Sequence, residues 1–230
     1  MSDRPPPRRA SARGFAIGVE LALFTPHDGE LGVLVRTAAD ERSRSRSTLP
    51  LSTLDSSQSL DQCALELAKE ASPTAPTVIE QVGTFVARPP AAEKSRIMVL
   101  YFGLLPVGTA IRSPHTWLEI SDALASLAPR QRDDVDTALQ ALRARVDQQP
   151  IAFRLLPAVF TLSELQRIYE LLLGRKLHKA SFRRALHAAS LVEATDEWRS
   201  EGRGRPAQLF RYAPPRRRRA RRGVRFDALG

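Results

Sequence analysis

The 230-residue chain has a single cysteine, Cys63, which excludes an internal disulfide and any thiolate-based zinc cluster and points to a reducing compartment. It also lacks long apolar runs: no stretch approaches the roughly 18 consecutive apolar residues of a membrane span. Its basic half contains no long helix with a bulky apolar face, so an anionic membrane surface is a poor partner. Histidine is sparse. His27, His115, His178 and His187 show neither H-x-x-x-H nor H-E-x-x-H spacing, which predicts surface or packed side chains and no metal site. Aromatic residues make up only 6% of the chain, and the Arg-rich segments lack the aromatic interleaving that a single-strand coating protein uses for base stacking.

Acidic charge is scarce in one part only. The chain carries a net +10, but from Ile151 onward there are 18 basic and 7 acidic residues, against 17 and 18 in the first 150. Positive charge is thus confined to the C-terminal part, as expected when that part meets a polyanion and the rest binds something else. With 43% hydrophobic residues, the chain has enough apolar material for two small domains.

The stretch from Phe160 to Tyr212 is the most informative. Thr161 and Glu164 have capping-box spacing, with Phe160 and Leu165 at the staple positions, so a helix is expected to start at Thr161. Leu165, Ile168, Tyr169 and Leu172 recur at i, i+3, i+4 and i+7, and Gly174 supplies a stop. After a turn from Gly174 to His178, Phe182, Ala185, Leu186 and Ala189 repeat the same spacing. Turned away from Phe182 are Lys179, Arg183 and His187 on one flank and Ser181 and Arg184 on the other. A basic outer face of this kind suits a recognition helix in the major groove, where Arg reads guanine edges and Lys holds phosphate. A solvated helix face would look the same in sequence, so the following segment decides between them.

That segment reads as a hairpin, with strand-prone runs at Leu191 to Ala194 and Ala207 to Tyr212 around a loop from Asp196 to Pro206. The loop contains Gly202-Arg-Gly-Arg-Pro206, which matches the core of an AT-hook. Glycine permits close backbone approach, and Arg203 and Arg205 are suited to a narrow A·T-rich minor groove. Two phased helices and a basic hairpin in this order are those of a winged helix-turn-helix that binds double-stranded DNA. Arginines 216 to 219, 221, 222 and 225 follow without any apolar pattern, as a tail that adds affinity for phosphate without reading bases.

The N-terminal part is different in kind. Residues 1–13 are rich in Pro and Arg and read as a disordered basic arm. Arg8-Arg9 before the apolar run Phe15 to Phe24 imitates a twin-arginine signal, but Glu20 interrupts the run and no A-x-A site follows, so a cytoplasmic location is expected. Phe15 to Phe24 and Leu31 to Val35 predict a hairpin turning at Asp28-Gly29. Ala38 to Ser59 predicts a loop, Leu60 to Ala71 a helix, and Thr77 to Val86 and Arg96 to Val107 two more strands. Ser113 to Leu127 reads as a loop and short helix. Asp133 to Val146 reads as a stronger helix with acids near its N-terminus and a stripe of Val135, Leu139, Leu142 and Val146, which faces either its own domain or a partner chain.

The motifs Phe160-Thr-Leu-Ser-Glu-Leu-Gln, Phe182-Arg-Arg-Ala-Leu and Gly202-Arg-Gly-Arg-Pro-Ala resemble the C-terminal domain of the Nudix-related transcriptional regulators of NAD metabolism, the NrtR family, and Ala152-Phe-Arg-Leu-Leu-Pro upstream resembles that family's linker. The resemblance implies an α+β chain, with a Nudix-like mixed-sheet domain followed by a winged helix-turn-helix. It also implies a homodimeric repressor with an ADP-ribose-type nucleotide effector. The expected divisions are a basic arm at 1–13, a ligand-sensing domain with linker helix at 14–150, the DNA-binding domain at 151–213 and an Arg-rich tail at 214–230.

The Nudix signature itself is degenerate. Leu49-Pro50 matches the family, but Leu51 and Ser52 replace glycines and Gln58 replaces a glutamate. With one residue deleted, Leu65 to Glu70 aligns with the signature helix, keeping Glu66 and Glu70 but placing Leu65 and Lys69 where an arginine and a glutamate belong; without the deletion only Glu70 is kept. Two carboxylates beside a lysine are a weak magnesium site. The expectation is therefore no catalytic residues, no metal and no required cofactor, with Arg36, Glu66 and Glu70 as candidate ligand-binding residues. The alternative is a Nudix-type nucleotide-diphosphate hydrolase tethered to DNA.

Overall fold

Alternation along the first strand decides the layering. In the computed structural model, which describes residues 16–37, 47–87, 96–200 and 206–213, β1 (Ala16–His27) is central to a seven-stranded mixed sheet. Successive strand residues point to opposite faces. Val19, Leu21 and Leu23 meet one buried cluster and Ala22 and Phe24 another, so both faces are covered. This is why Phe15 to Phe24 reads as a nearly unbroken apolar run.

The hairpin to β2 (Glu30–Thr37) turns through Asp28 and Gly29, both at positive φ, as the Asp-Gly pair requires for a tight two-residue turn. The predicted loop from Ala38 to Ser59 contains two short strands, β3 (Ser47–Thr48) pairing β2 and β4 (Leu51–Thr53) pairing β1. Helix α1 (Leu60–Ala71) has the predicted bounds and opens on a capping box between Ser59 and Gln62. It lays Cys63, Ala64, Leu67, Ala68 and Ala71 on the sheet. Strand β5 (Val78–Ala87) runs antiparallel to β6 (Arg96–Leu104), and β6 runs parallel to β1.

Two readings need correction. Ser113 to Leu127 contains a strand as well as a helix: β7 (His115–Glu119) pairs with β2 before α2 (Ile120–Ser126) begins. The run His-Thr-Trp-Leu-Glu is short and its pairing is long-range, so no local signal marks it. Helix α3 starts earlier than expected, spanning Pro129–Gln148 with proline in its first turn. Asp133 and Asp134 therefore sit in the second turn rather than at the helix N-terminus, and Asp134 is buried.

The α3 stripe faces its own molecule. Val135, Leu139, Leu142 and Val146 join one continuous core with Phe24, Leu100 and Phe102 of the sheet and Leu165, Ile168 and Tyr169 of the C-terminal helices. On the same side Glu20, fully buried, receives a two-pronged bond from Arg130 at 2.7 and 3.0 Å and a further bond from Gln131. Arg130 also donates to Asp134 at 2.6 Å. Desolvation, with the neighbouring Glu20 carboxylate, pushes the Asp134 carboxyl up to about 7, outweighing the Arg130 guanidinium that two acids must share.

A short 3-10 helix, Ile151–Leu155, leads into the second domain. Its Phe153 is the hub of an aromatic cluster, with ring centroids 5.7 Å from Phe160, 6.3 Å from Tyr169 and 4.6 Å from Tyr212. The segment that reads as a linker is thus part of the C-terminal domain's core. Strand β8 (Val159–Thr161), helices α4 (Leu162–Leu173) and α5 (Lys179–Ala188), and strands β9 (Val192–Arg199) and β10 (Ala207–Tyr212) complete that domain, with sheet order β8-β10-β9.

Candidate nucleic-acid interface

The helix pair is set by local chemistry that sequence spacing identifies. Thr161 caps α4, its hydroxyl accepting from the Glu164 N–H at 3.1 Å, while the Glu164 carboxylate accepts from the Thr161 N–H at 2.6 Å. Gly174 ends the helix at φ 68°, a left-handed conformation that costs glycine little. Glu170 then organises the turn, accepting from the Leu177 N–H and the Gln166 amide at 2.9 Å each and pairing with Lys176 at 3.2 Å. Desolvation alone would raise the Glu170 carboxyl, but these bonds together hold it below the ordinary range. Fixed in this way, the turn delivers α5, whose Phe182 and Leu186 are buried and whose Phe182 ring lies 5.5 Å from Tyr169.

The residues expected on the outer face of α5 fall into two groups. Lys179, Arg184 and His187 are exposed, and Arg184 reaches back to the Ser181 hydroxyl at 3.4 Å. His187 stands with its ring 6.5 Å from Phe210 of the hairpin. Ser181 is half-buried and lies 3.3 Å from His178 Nδ1. Arg183 departs from the expectation of a fully exposed side chain. It is half-buried, and its Nε is enclosed without a hydrogen-bond partner among the described residues. It leans into a cleft of about 300 Å³ between α5 and the hairpin, lined also by Thr161, Ser163, Trp198, Gln208 and Phe210. Lys179 and His187 share its flank and stay exposed, so position along the helix, beside Gln208 and Phe210 of β10, sets Arg183 apart rather than helical phase.

The hairpin is longer than the sequence suggests. Asp196 to Arg199, expected in the loop, continue β9, with Trp198 opposite Gln208 and Arg199 opposite Ala207. A bulge between Gln208 and Phe210 shifts the register, fixed by the Thr195 hydroxyl donating to the Leu209 carbonyl at 2.9 Å. The charged run Thr-Asp-Glu-Trp-Arg hides this strand, because alternation is broken where the bulge inserts residues. Arg199 pairs with Glu164 at 2.7 Å, tying the hairpin to the capping box of α4. Arg203 and Arg205 lie outside the described residues.

In the N-terminal domain, Arg36 and Glu70 both lie within electrostatic reach of His115, and Arg36 is its cross-strand partner. Burial pushes the His115 imidazole down, and Arg36 adds to this against the Arg112 carbonyl and Glu70. His115 is a member of this group that spacing did not single out, because only strand pairing brings it beside Arg36. Glu66, exposed on α1, accepts from the Gln58 amide, so the glutamine that stands where a Nudix glutamate is expected binds a remaining carboxylate. Among the described residues, no three of His, Cys, Asp and Glu converge as a metal site.

A mixed, doubly covered sheet joined through a shared core to a three-stranded hairpin domain with a helix-turn-helix defines a regulator class: a Nudix-like domain followed by a winged-helix DNA-binding domain. Residues 152–212 match the family model of the NrtR DNA-binding winged helix domain. The chain is 31% identical over 203 residues to the ADPR responsive transcriptional repressor NtrR of Acinetobacter baylyi, covering 85% of this chain and 81% of that protein. The crystal structure of Shewanella oneidensis NrtR complexed with a 27mer DNA is similar, with a TM-score of 0.71 and 29% identity over 86% of this chain and 93% of that one. A MutT/nudix family protein from Enterococcus faecalis shares the fold, with a TM-score of 0.67 at 16% identity over 88% of this chain and 90% of that one. The chain belongs to the NrtR family of transcriptional regulators.

Proposed function

We propose that this regulator represses genes of NAD metabolism or a related pathway. It binds operator DNA as a homodimer, and its Nudix-like domain senses ADP-ribose or a related nucleotide without hydrolysing it. The observation that carries the DNA reading is the exposed trio Lys179, Arg184 and His187 on α5, beside a hairpin anchored to α4 through Arg199 and Glu164. In a helix-turn-helix this face enters the major groove, and a dimer sets two such faces on an inverted repeat about one or two helical turns apart. Arg203 and Arg205 are assigned to the adjacent minor groove from sequence.

The effector reading rests on the similarity to a repressor described as ADPR responsive and on the grouping of Arg36, Glu70 and His115 at one end of the N-terminal sheet. An arginine there suits a diphosphate. Hydrolysis is disfavoured because Leu51, Ser52, Gln58, Leu65 and Lys69 stand at signature positions and because Glu66 is bonded to Gln58. The sensor test is a thermal shift with ADP-ribose. Ligand at about 100 times its Kd stabilises the native state by about 2.7 kcal/mol, so the melting temperature should rise, and Arg36→Ala should abolish the rise. No shift for the unaltered protein, or magnesium-dependent turnover of ADP-ribose at about 1 per second or faster, would favour the hydrolase or an inert dimerisation domain instead.

A further inference from the structure

Two features of the cleft between α5 and the hairpin are unaccounted for by a helix that reads bases alone. The first is Trp198, 58% exposed on β9. Its exposure is not an accident of a fraying end, because Trp198 pairs opposite Gln208 and the bulge secured by Thr195 lies immediately before it. Bulges re-aim side chains, and this one leaves Trp198 opposite Gln208, where both line the cleft with Phe210 and Arg183. The second is Arg183, half-buried in the same cleft with its Nε unpartnered among the described residues. Nε is shut off from solvent, but the side chain is only half-buried, which leaves the outer part of the cationic guanidinium open to an anionic ligand. An acceptor-rich, negatively charged ligand beside a flat apolar ring has the chemistry of a sugar-phosphate backbone.

We propose that this cleft is a backbone clamp for duplex DNA, in which Arg183 donates to a phosphodiester oxygen and the Trp198 indole packs against the neighbouring deoxyribose. Ser163, exposed in the first turn of α4, and Gln208 border the cleft and offer further polar groups to the same phosphate. Arg183 is thereby a positioning residue, and base reading falls to Arg184 and its exposed neighbours. Backbone contacts fix register and orientation and carry no sequence information directly. The proposal rests on the DNA-binding reading and adds the assignment of these two residues to backbone rather than bases.

The test uses the full-length protein with a duplex that it selects from a random pool and a scrambled duplex of the same length. Affinity is measured by fluorescence anisotropy at several salt concentrations. Trp198→Ala should weaken both duplexes by about fivefold or more, as expected for an aromatic anchor, without altering the salt slope. Arg183→Gln should weaken both and flatten the slope by about 0.9, the value for one neutralised phosphate. Because Trp198 is a surface residue, its variant should keep the native melting temperature. Intrinsic tryptophan emission of the unaltered protein provides a second readout: Trp117 is buried in the N-terminal domain, so DNA should shift or quench emission through Trp198. If the unaltered protein binds DNA but its emission is unmoved and Trp198→Ala binds within twofold of it, the clamp is overturned while the DNA reading stands. Loss of discrimination between the two duplexes in Arg183→Gln, with the salt slope intact, would make Arg183 a base reader and overturn it equally. If the folded protein selects no duplex, the DNA reading fails and the clamp with it.

Discussion

At the scale of single residues, Asp134 shows how burial converts a carboxylate into a pH-dependent element. It shares Arg130 with the buried Glu20, and desolvation outweighs the pairing, raising its carboxyl to about 7. An unfolded aspartate loses its proton near pH 3.9, so between about pH 4 and 7 the folded state binds more protons than the unfolded one. Stability from this group is present below that window and is lost as pH rises through it. Asp134→Asn, which cannot titrate, is therefore expected to flatten the decline in unfolding free energy between pH 5 and 8. Urea titrations of both proteins at those pH values check this. An unchanged slope would place the pH dependence elsewhere.

At the scale of elements, the helix-turn-helix is held by its termini as much as by its packing. Gly174 combines a left-handed backbone with proximity to the α3 side chain Arg143, whose Nη2 would lie 2.7 Å from an added Cβ. The Arg143 end is flexible and can yield, whereas the backbone strain remains. Gly174→Ala should therefore cost about 1 to 2 kcal/mol, the penalty of a left-handed L-residue, seen as a lower denaturant midpoint with unchanged m-value. The reading of α4 from its cap and periodicity, and of α1 from its composition, matches their observed bounds, since those signals act within a few residues. Strand β7 and the distal half of β9 were not legible in this way. Their pairing partners, β2 and β10, lie far away or across a bulge, and neither run alternates cleanly.

At the scale of the whole molecule, the two domains are joined without a free hinge among the described residues. Arg154 donates to the Thr77 carbonyl at 3.0 Å, the Val107 N–H to the Leu155 carbonyl at 3.3 Å, and Arg167 to the Gly29 carbonyl at 3.4 Å. A nucleotide bound at the sheet end near His115 would thus act on a body that also holds α4. The C-terminal arginines lie outside the described residues, and as clustered charge they are expected to act through counterion release on any sequence. Deleting residues 214–230 should weaken specific and scrambled duplexes alike and flatten the salt dependence by about 0.9 in slope for each phosphate that the tail neutralises. Binding measured across salt concentrations tests this. Selective weakening on the specific duplex would show that the tail reads sequence.

Domain order, the separation of charge, the capped first helix of the pair, the tight Asp28-Gly29 turn and the family are all legible in the chain, because each is written in local chemistry or in motif identity. The sequence also identifies a basic outer face on α5. Which of those basic residues stand free depends on long-range packing: Arg183 is half-buried in the cleft beside the hairpin, whereas Lys179, Arg184 and His187 are exposed. Long-range packing likewise brings Arg36 to His115 through strand pairing, buries Glu20 against α3 and places Trp198 on the cleft that holds Arg183. These depend on which residues the folded chain brings together across tens of positions, where hydrogen-bond register and a single bulge, rather than neighbouring residues, set the outcome.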